Sequence, residues 1–218
     1  MTSRNAPVLR RGFPLKALSL AIALACSAVA EANPTGAQVV SGQASIVAAG
    51  KTLSITNTAG AILNWQSFSI GANEVTRFIQ PNAASSVLNR VVGPDPSALL
   101  GQLASNGRVF LINPAGILVG AGARIDTAGF IASTLNISNS DFLAGRLNFS
   151  GSSGAGVVNQ GQIVTPTGGS VYLIAGQVGN EGLIHTPGGE TLLAAGHSVR
   201  LIDSGTPGLS VEVTGGGQ

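Results

Sequence analysis

Charge is scarce in this 218-residue chain: only 9% of residues are Asp, Glu, Lys or Arg, against about 25% in an ordinary soluble domain. Aromatic residues are few, at 4%, with one Trp and one Tyr, and there is a single Cys. One Cys excludes an internal disulfide framework and a multi-Cys zinc site. Hydrophobic residues nevertheless reach 44%. That excludes a disordered chain, because disorder needs low hydrophobicity and high net charge. What is plentiful is Gly, with 31 residues, roughly twice the usual share of about 7%. These glycines follow no G-X-Y period, so a collagen helix is excluded as well.

The sequence pI of about 9.2 raises nucleic acid as a partner until the cations are located. Arg4, Arg10, Arg11 and Lys16 precede an uncharged apolar run from Ala17 to Ala30. That run is shorter than the roughly 20 residues a spanning helix needs. It ends in Ala28-Val29-Ala30 and Ala30-Glu31-Ala32, two overlapping small-x-small signals. A positive segment, an apolar segment and an A-x-A site predict a secretory signal peptide over 1–32, cleaved after Ala32. Cys26 lies within it as a small apolar residue. Removing 1–32 takes four of the eleven Lys and Arg and one of the nine acids, leaving seven against eight. The mature chain has no Cys and no basic block, so nucleic-acid binding loses its electrostatic support.

Short stretches alternate apolar and polar residues as half-buried strands do, most clearly Thr52–Thr56 and Ser133–Ser138. Gly, Asn and Pro punctuate the chain every few residues and mark turns. The frame N-x-G-x-I-x-T-P-x-G occurs at 159–168 and again at 180–189. Each copy precedes an apolar strand, Val171–Gly176 and Leu192–Gly196. A fainter copy lies upstream, where Val109–Ile112 is followed by Ala123–Asp126. A period of about twenty residues with short strands and Gly/Asn turns predicts a solenoid of stacked parallel β-coils. Two interruptions read as helical. One is 95–107, with Asp95 as N-cap, Pro96 at N1, Gly107 at the far end and Leu99, Leu100 and Leu103 on one face. The other is a single turn at Asp141–Ala144 after Ser140 as cap.

Residues 64–149 carry an ordered set of motifs. They are Asn64–Gly71 (NWQSFSIG), Val87–Val91 (VLNRV), Leu100–Leu103, Asn106–Ile117 (NGRVFLINPAGI) and Gly129–Ser138 (GFIASTLNIS). This set resembles the secretion domain of the filamentous haemagglutinin family, the exoproteins of two-partner secretion, and Asn33-Pro34-Thr35-Gly36 fits the same family's start. The resemblance implies a right-handed parallel β-helix of about 20 residues per coil, with an N-terminal β cap and short helical or hairpin decorations. It implies a secretion domain at 33–150 and the start of a repeat passenger at 151–218. The family's central motif reads N-P-N-G-I; here it is Asn113-Pro114-Ala115-Gly116-Ile117, so one side-chain amide is missing at Ala115. Asn, Pro and Gly still stand where a type I turn wants them. The second motif, N-P-N-L, has a loose counterpart in Gln80-Pro81-Asn82-Ala83. The resemblance points to Asn113, Pro114, Gly116, Ile117, Asn89 and Arg90 as residues of the secretion motif, with a structural turn as the alternative role.

The implied partners are the inner-membrane general secretion machinery and a cognate outer-membrane β-barrel transporter with periplasmic recognition domains. The implied destination is the medium or the bacterial cell surface, after transit through the periplasm. A passenger would add contacts to host or neighbouring cells, as an adhesin or a contact-dependent toxin stalk. No cofactor, metal or small-molecule substrate is expected. The rival class is a polysaccharide-active enzyme, since parallel β-helices also carry lyases and hydrolases. Such chemistry needs clustered carboxylates or a Ca²⁺ site with Lys or Arg. The mature acids are dispersed: Glu74, Asp95, Asp126, Asp141, Glu181, Glu190, Asp203 and Glu212. His185 and His197 lack any Glu-x-x-His context and read as solvated strand or turn residues. Gly151–Gly156 reads as a flexible link, and Trp65, Phe68, Phe78 and Phe110 as core. No catalytic residue is expected.

Overall fold

The structure is a computed structural model that describes residues 33–203 and 209–214; the expected leader at 1–32 lies outside them. Its simplest unit is strand β3 (Thr52–Asn57), where Leu53, Ile55 and Asn57 turn inward and the residues between them face out. Alternation of this kind recurs because successive side chains on a strand point to opposite faces. Stacking such strands in parallel register generates a β-solenoid of about seven turns. The described residues are nearly all-β, as the repeats predict.

Each coil contributes to three faces. One sheet runs through β3, β5 (Val75–Ile79), the first part of β8 (Gln102–Ile112), the first part of β10 (Arg124–Ser133), β14 (Gln162–Val164) and β17 (Leu183–His185). A second runs through β4 (Ala61–Trp65), β6 (Ser86–Val91), the later parts of β8 and β10, β15 (Val171–Ala175) and β18 (Thr191–Ala195). The long strands β8 and β10 bend across the corner and join these two into one sheet. The third face holds β7 (Ser97–Leu99), β9 (Ile117–Val119), β13 (Gly156–Asn159) and β16 (Gln177–Asn180). At the N-terminal end, β1 (Gln38–Ser41) pairs antiparallel with β4 and β2 (Ala44–Ala49) antiparallel with β3. These two strands form the expected β cap.

The sequence repeat has a direct structural counterpart. Asn159 lies opposite Asn180 and Ile163 opposite Ile184. Asn159 Nδ2 donates to Asn180 Oδ1 at 2.7 Å, across 21 residues. One residue is lost at the Pro-Gly corner, so Val171 faces Thr191 and Leu173 faces Leu193. Gly168 and Gly188, both at positive φ (83° and 62°), turn the two coils there at low steric cost.

Strand β15 shows no alternation because it is buried on both faces. Its Val171, Leu173 and Ala175 enter the solenoid interior with Phe78, Leu111 and Ile125. Tyr172 and Ile174 enter a second core with Phe110, Phe142 and Phe149. That second core lies under an antiparallel layer of β11 (Asn136–Ile137), α1 (Asn139–Leu143), β12 (Leu147–Ser150), β19 (Ser198–Asp203) and β20 (Leu209–Thr214). Trp65, Phe68, Phe78 and Phe110 are all core residues, between 1% and 5% exposed. Trp65 meets Phe68 edge-on at 5.6 Å, and Phe68 stacks on Phe78 at 6.4 Å.

Three local expectations are corrected. The helix expected at 95–107 is replaced by β7, a corner and the start of β8. Its backbone N–H groups are taken by the neighbouring coils: Ser97 N donates to Gly116 O, Leu100 N to Ile70 O and Gln102 N to Glu74 O. Leu99 and Leu103 still reach the core, but Leu100 points outward at 40% exposure. Coil stacking overrides the local cap signals. Ser133–Ser138 is also not one strand: β10 ends at Ser133, and Ser133 Oγ accepts from Leu135 N at 2.9 Å to make a corner. The short helix α1 is present, but its N-cap is Ser138, whose side chain accepts from Asp141 N.

Candidate functional site

The motif at 113–117 is a turn between β8 and β9. Gly116 N donates to Asn113 O at 3.1 Å, closing the turn over Pro114 and Ala115. Ala115 N donates to Asn113 Oδ1 at 2.9 Å, so the Asn side chain repeats the turn's own bond. Gly116 sits at φ +118°, a conformation that L side chains rarely adopt.

The rest of Asn113 faces the adjacent coils. Its Nδ2 donates to Asp95 O at 3.0 Å and to Ser97 Oγ at 2.9 Å. Its backbone N donates to Ser133 O at 2.9 Å, in the coil on the other side. Asn113 is 0% exposed, and all these polar groups are satisfied. Ile117 is buried as well and lies between Ser97 and Val157 in register. Only Pro114 is exposed and Ala115 half-buried. Ser153 donates its hydroxyl to Pro114 O at 2.6 Å, and Thr134 Oγ1 donates to Ala155 O. The 151–156 segment, expected as a flexible link, is thus fastened to the turn and to the end of β10.

Asn89 and Arg90 stand on β6, where Arg90 pairs in register with Ile112. Their side chains diverge. Asn89 is wholly buried; its Oδ1 accepts from Trp65 Nε1 at 2.9 Å and its Nδ2 donates to Phe110 O at 3.2 Å. Arg90 points to the outer layer, where Nε donates to Asn136 Oδ1 and Nη2 to Ile137 O and Asn139 Oδ1. Burial lowers its guanidinium pKa from the ordinary arginine value. The structure therefore gathers Asn113, Pro114, Gly116 and Ile117 in one turn, while Asn89 locks the aromatic core and Arg90 anchors the layer over it.

The segment at 80–83 is also a turn. Asn82 Oδ1 accepts from Ala84 N and Ser85 N. Gln80 and Asn106 exchange bonds, Gln80 N to Asn106 Oδ1 at 2.8 Å and Asn106 Nδ2 to Gln80 O at 2.7 Å. Sequence reading did not single out this pair, although Gly107 was its signal: a Cβ there would meet Gln80 Cδ at 2.5 Å. His185 ends β17 exposed, as expected. His197, in the turn before β19, is half-buried, with Nδ1 buried and unpartnered. Among the described residues no cluster of three or more His, Cys, Asp or Glu could hold a metal.

Comparison with known proteins gives one consistent family. Over 105 residues, 48% of this chain, the sequence is 39% identical to a heme/hemopexin-binding protein of Haemophilus influenzae. A second heme/hemopexin-binding protein of H. influenzae is 34% identical over 131 residues, 57% of the chain. The matches cover only 12% and 14% of those relatives' lengths. Among solved structures, the HMW1 secretion domain of H. influenzae superposes with a TM-score of 0.80 and 41% identity, over 84% of this chain and 50% of that one. The family is one of secretion domains and not of enzymes. The model of the TPS secretion domain matches residues 30–217, and the chain belongs to that family, the secretion-targeting domains of two-partner secretion exoproteins.

Proposed function

We propose that residues 1–32 carry this chain across the inner membrane through the general secretion machinery, and that a cognate outer-membrane β-barrel transporter then recognises it through periplasmic domains. Recognition uses the Asn113-Pro114-Ala115-Gly116-Ile117 segment, with Asn89 and Arg90, while the chain is still extended. It then passes the pore and folds as a β-helix at the cell surface or in the medium. The observation that carries this reading is the burial of Asn113. In the folded domain its amide is spent on Asp95, Ser97 and Ala115, so a partner can read that amide only before the coils close.

The low charge and the absence of Cys from the mature chain suit an unfolded transit through the oxidising periplasm. Stacked coils fold by nearest-neighbour contacts, so coil formation outside would bias movement outward. An extended chain also offers unpaired strand edges for β-augmentation. Residues 33–150 hold the motifs, and 151–218 begin the repeats of a passenger. The binding named for the heme/hemopexin-binding relatives stays with those relatives. The test is export: with the cognate transporter co-expressed, a double Asn113→Ala, Gly116→Ala variant is expected to accumulate in the periplasm. Secretion at the wild-type level would remove the motif from recognition.

A further inference from the structure

Asn106 and Gly107 form a bulge in β8. Thr127 of β10 faces Ser105 and Gly129 faces Arg108, so two residues of β8 stand against Ala128 alone. On the other side β5 ends at Ile79 and β6 begins at Ser86, and the turn at 80–83 lies between them. Asn106 fastens that turn. Its Oδ1 accepts from Gln80 N at 2.8 Å and its Nδ2 donates to Gln80 O at 2.7 Å, a two-bond clasp on the backbone of one residue.

Each member of the pair answers a separate need. The clasp requires a carboxamide, which donates and accepts at once. At 107 a Cβ would lie 2.5 Å from Gln80 Cδ and 2.6 Å from its Nε2. The Gln80 side chain has little room to give way, being 4% exposed with its Nε2 donating to Ser105 Oγ and Arg108 O. The fold therefore demands Asn followed by Gly, and this is the one Asn-Gly step in the chain.

That dipeptide is chemically labile when the chain is open. With no Cβ, Gly leaves its nitrogen unhindered and its backbone free to approach the preceding side chain. We propose that Asn106 is a deamidation site of the open chain, which folding shuts. Gly107 N forms a bond to Asn106 Cγ, the Cγ–Nδ2 bond breaks, and ammonia leaves with the proton from Gly107 N. Water then opens the cyclic imide. Cleavage at Cγ leaves aspartate; cleavage at the backbone carbonyl leaves isoaspartate, with one more carbon in the main chain.

The folded geometry withholds both reacting groups. Asn106 is exposed, so hydrogen bonds protect it and not burial. Both ends of its carboxamide are held on Gln80, and Gly107 N donates to Ser105 Oγ at 3.0 Å. After deamidation the carboxylate has no N–H to give Gln80 O, and isoaspartate lengthens β8 where it packs on Gln80. A chain modified before folding closes this corner less tightly. The site shares no residue with the 113–117 turn and its test needs no transporter, so it stands or fails apart from the proposed function.

The full-length protein is kept at one mildly alkaline pH, folded in buffer or open in guanidinium chloride, while peptide mass spectrometry follows every Asn. In the open chain Asn106 is expected to convert ahead of all others, with isoaspartate among the products, and Gly107→Ala to slow it. In the folded protein conversion at 106 is expected to fall at least about tenfold. Asn106→Asp, which copies one product, is expected to melt below wild type. The proposal is overturned if Asn106 converts as fast in the folded protein as in the open chain, or if another Asn leads in the open chain. It is equally overturned if Gly107→Ala makes no difference there, or if Asn106→Asp melts with wild type.

Discussion

Asn113 Nδ2 lies 2.9 Å from Ser97 Oγ, and the two residues, at 0% and 1% exposure, are sealed between adjacent coils. This bond ties the 113–117 turn, the segment proposed for recognition, to the fold itself. A residue read from sequence as a contact for a partner is, in the folded domain, a fastening between coils. The two roles are compatible only if they belong to different states of the chain.

The fastening has a measurable cost of removal. Asn113→Ala deletes three side-chain bonds, leaving the buried Ser97 Oγ and Asp95 O without that donor and Ala115 N without its acceptor, for a loss of about 2–4 kcal/mol. Trp65, the single Trp, reports the denaturant midpoint from inside the core. Ala115→Asn, at a half-exposed position, is expected to stay within about 0.5 kcal/mol.

Two glycines of equal chemistry should behave oppositely. A Cβ at Gly101 would lie 2.2 Å from Gly71 O and 2.4 Å from Glu74 O, both backbone atoms. Gly101→Ala therefore forces the corner apart and lowers the melting temperature by several degrees or more. Gly154 has nothing within 4 Å and no positive φ. Gly154→Ala is neutral or stabilises by about 0.4–1 kcal/mol, through the unfolded chain. Equal melting temperatures for the two variants would contradict the corner packing.

How far the sequence was legible depends on whether neighbours in space were regular neighbours in the chain. The match of Ile163 with Ile184 followed from the repeat, the buried aromatics from their residue type, and the turn at Asn113 from the placing of Asn, Pro and Gly. The 95–107 stretch misled because Asp95, Pro96 and the leucines carry helical signals locally. The groups that claim its backbone, Ile70 O, Glu74 O and Gly116 O, belong to other coils. Arg90 reaching Asn139 and Arg108 aligning with Ser170 were equally hidden. The layer at 134–155 interrupts the period between β10 and β13, so no fixed spacing reveals those pairs.

Tyr172 should ionise late. Burial pushes its phenol up from the ordinary value near 10, and the hydrogen bond to Glu190 adds to that, while Ser170 and the Arg108 charge oppose it. A raised folded value means that the stabilisation is present below pH 10 and is lost as the pH climbs through the folded pKa. Ultraviolet titration is expected to show a midpoint above 10 in the folded protein and at 10 after unfolding. Arg108→Gln should move the midpoint further up, and Glu190→Gln should bring it down.

At the other end of the scale, the Asp141 carboxyl is held below its ordinary value, first by the bond from Arg146 at 2.7 Å and then by the Ser138 hydroxyl. Its contribution is present above the ordinary carboxylate pKa near 3.8 and is lost as pH falls through the lower folded value. Carboxyl resonances followed by NMR should show Asp141 titrating below 3.8 in wild type, and closer to it in Arg146→Met.

The central claim, that the motif is read before the coils close, is tested most directly by comparing folded and unfolded full-length chains for binding to the periplasmic region of the cognate transporter. Dilution from urea directly onto the immobilised transporter region presents the chain while it is still open and leaves the 113–117 sequence intact. The open chain is expected to bind, the folded wild type to bind at least about tenfold less, and adding Asn113→Ala with Gly116→Ala to the open chain to abolish the gain. Equal binding by folded and open chains, with no effect of the added substitutions, would contradict it.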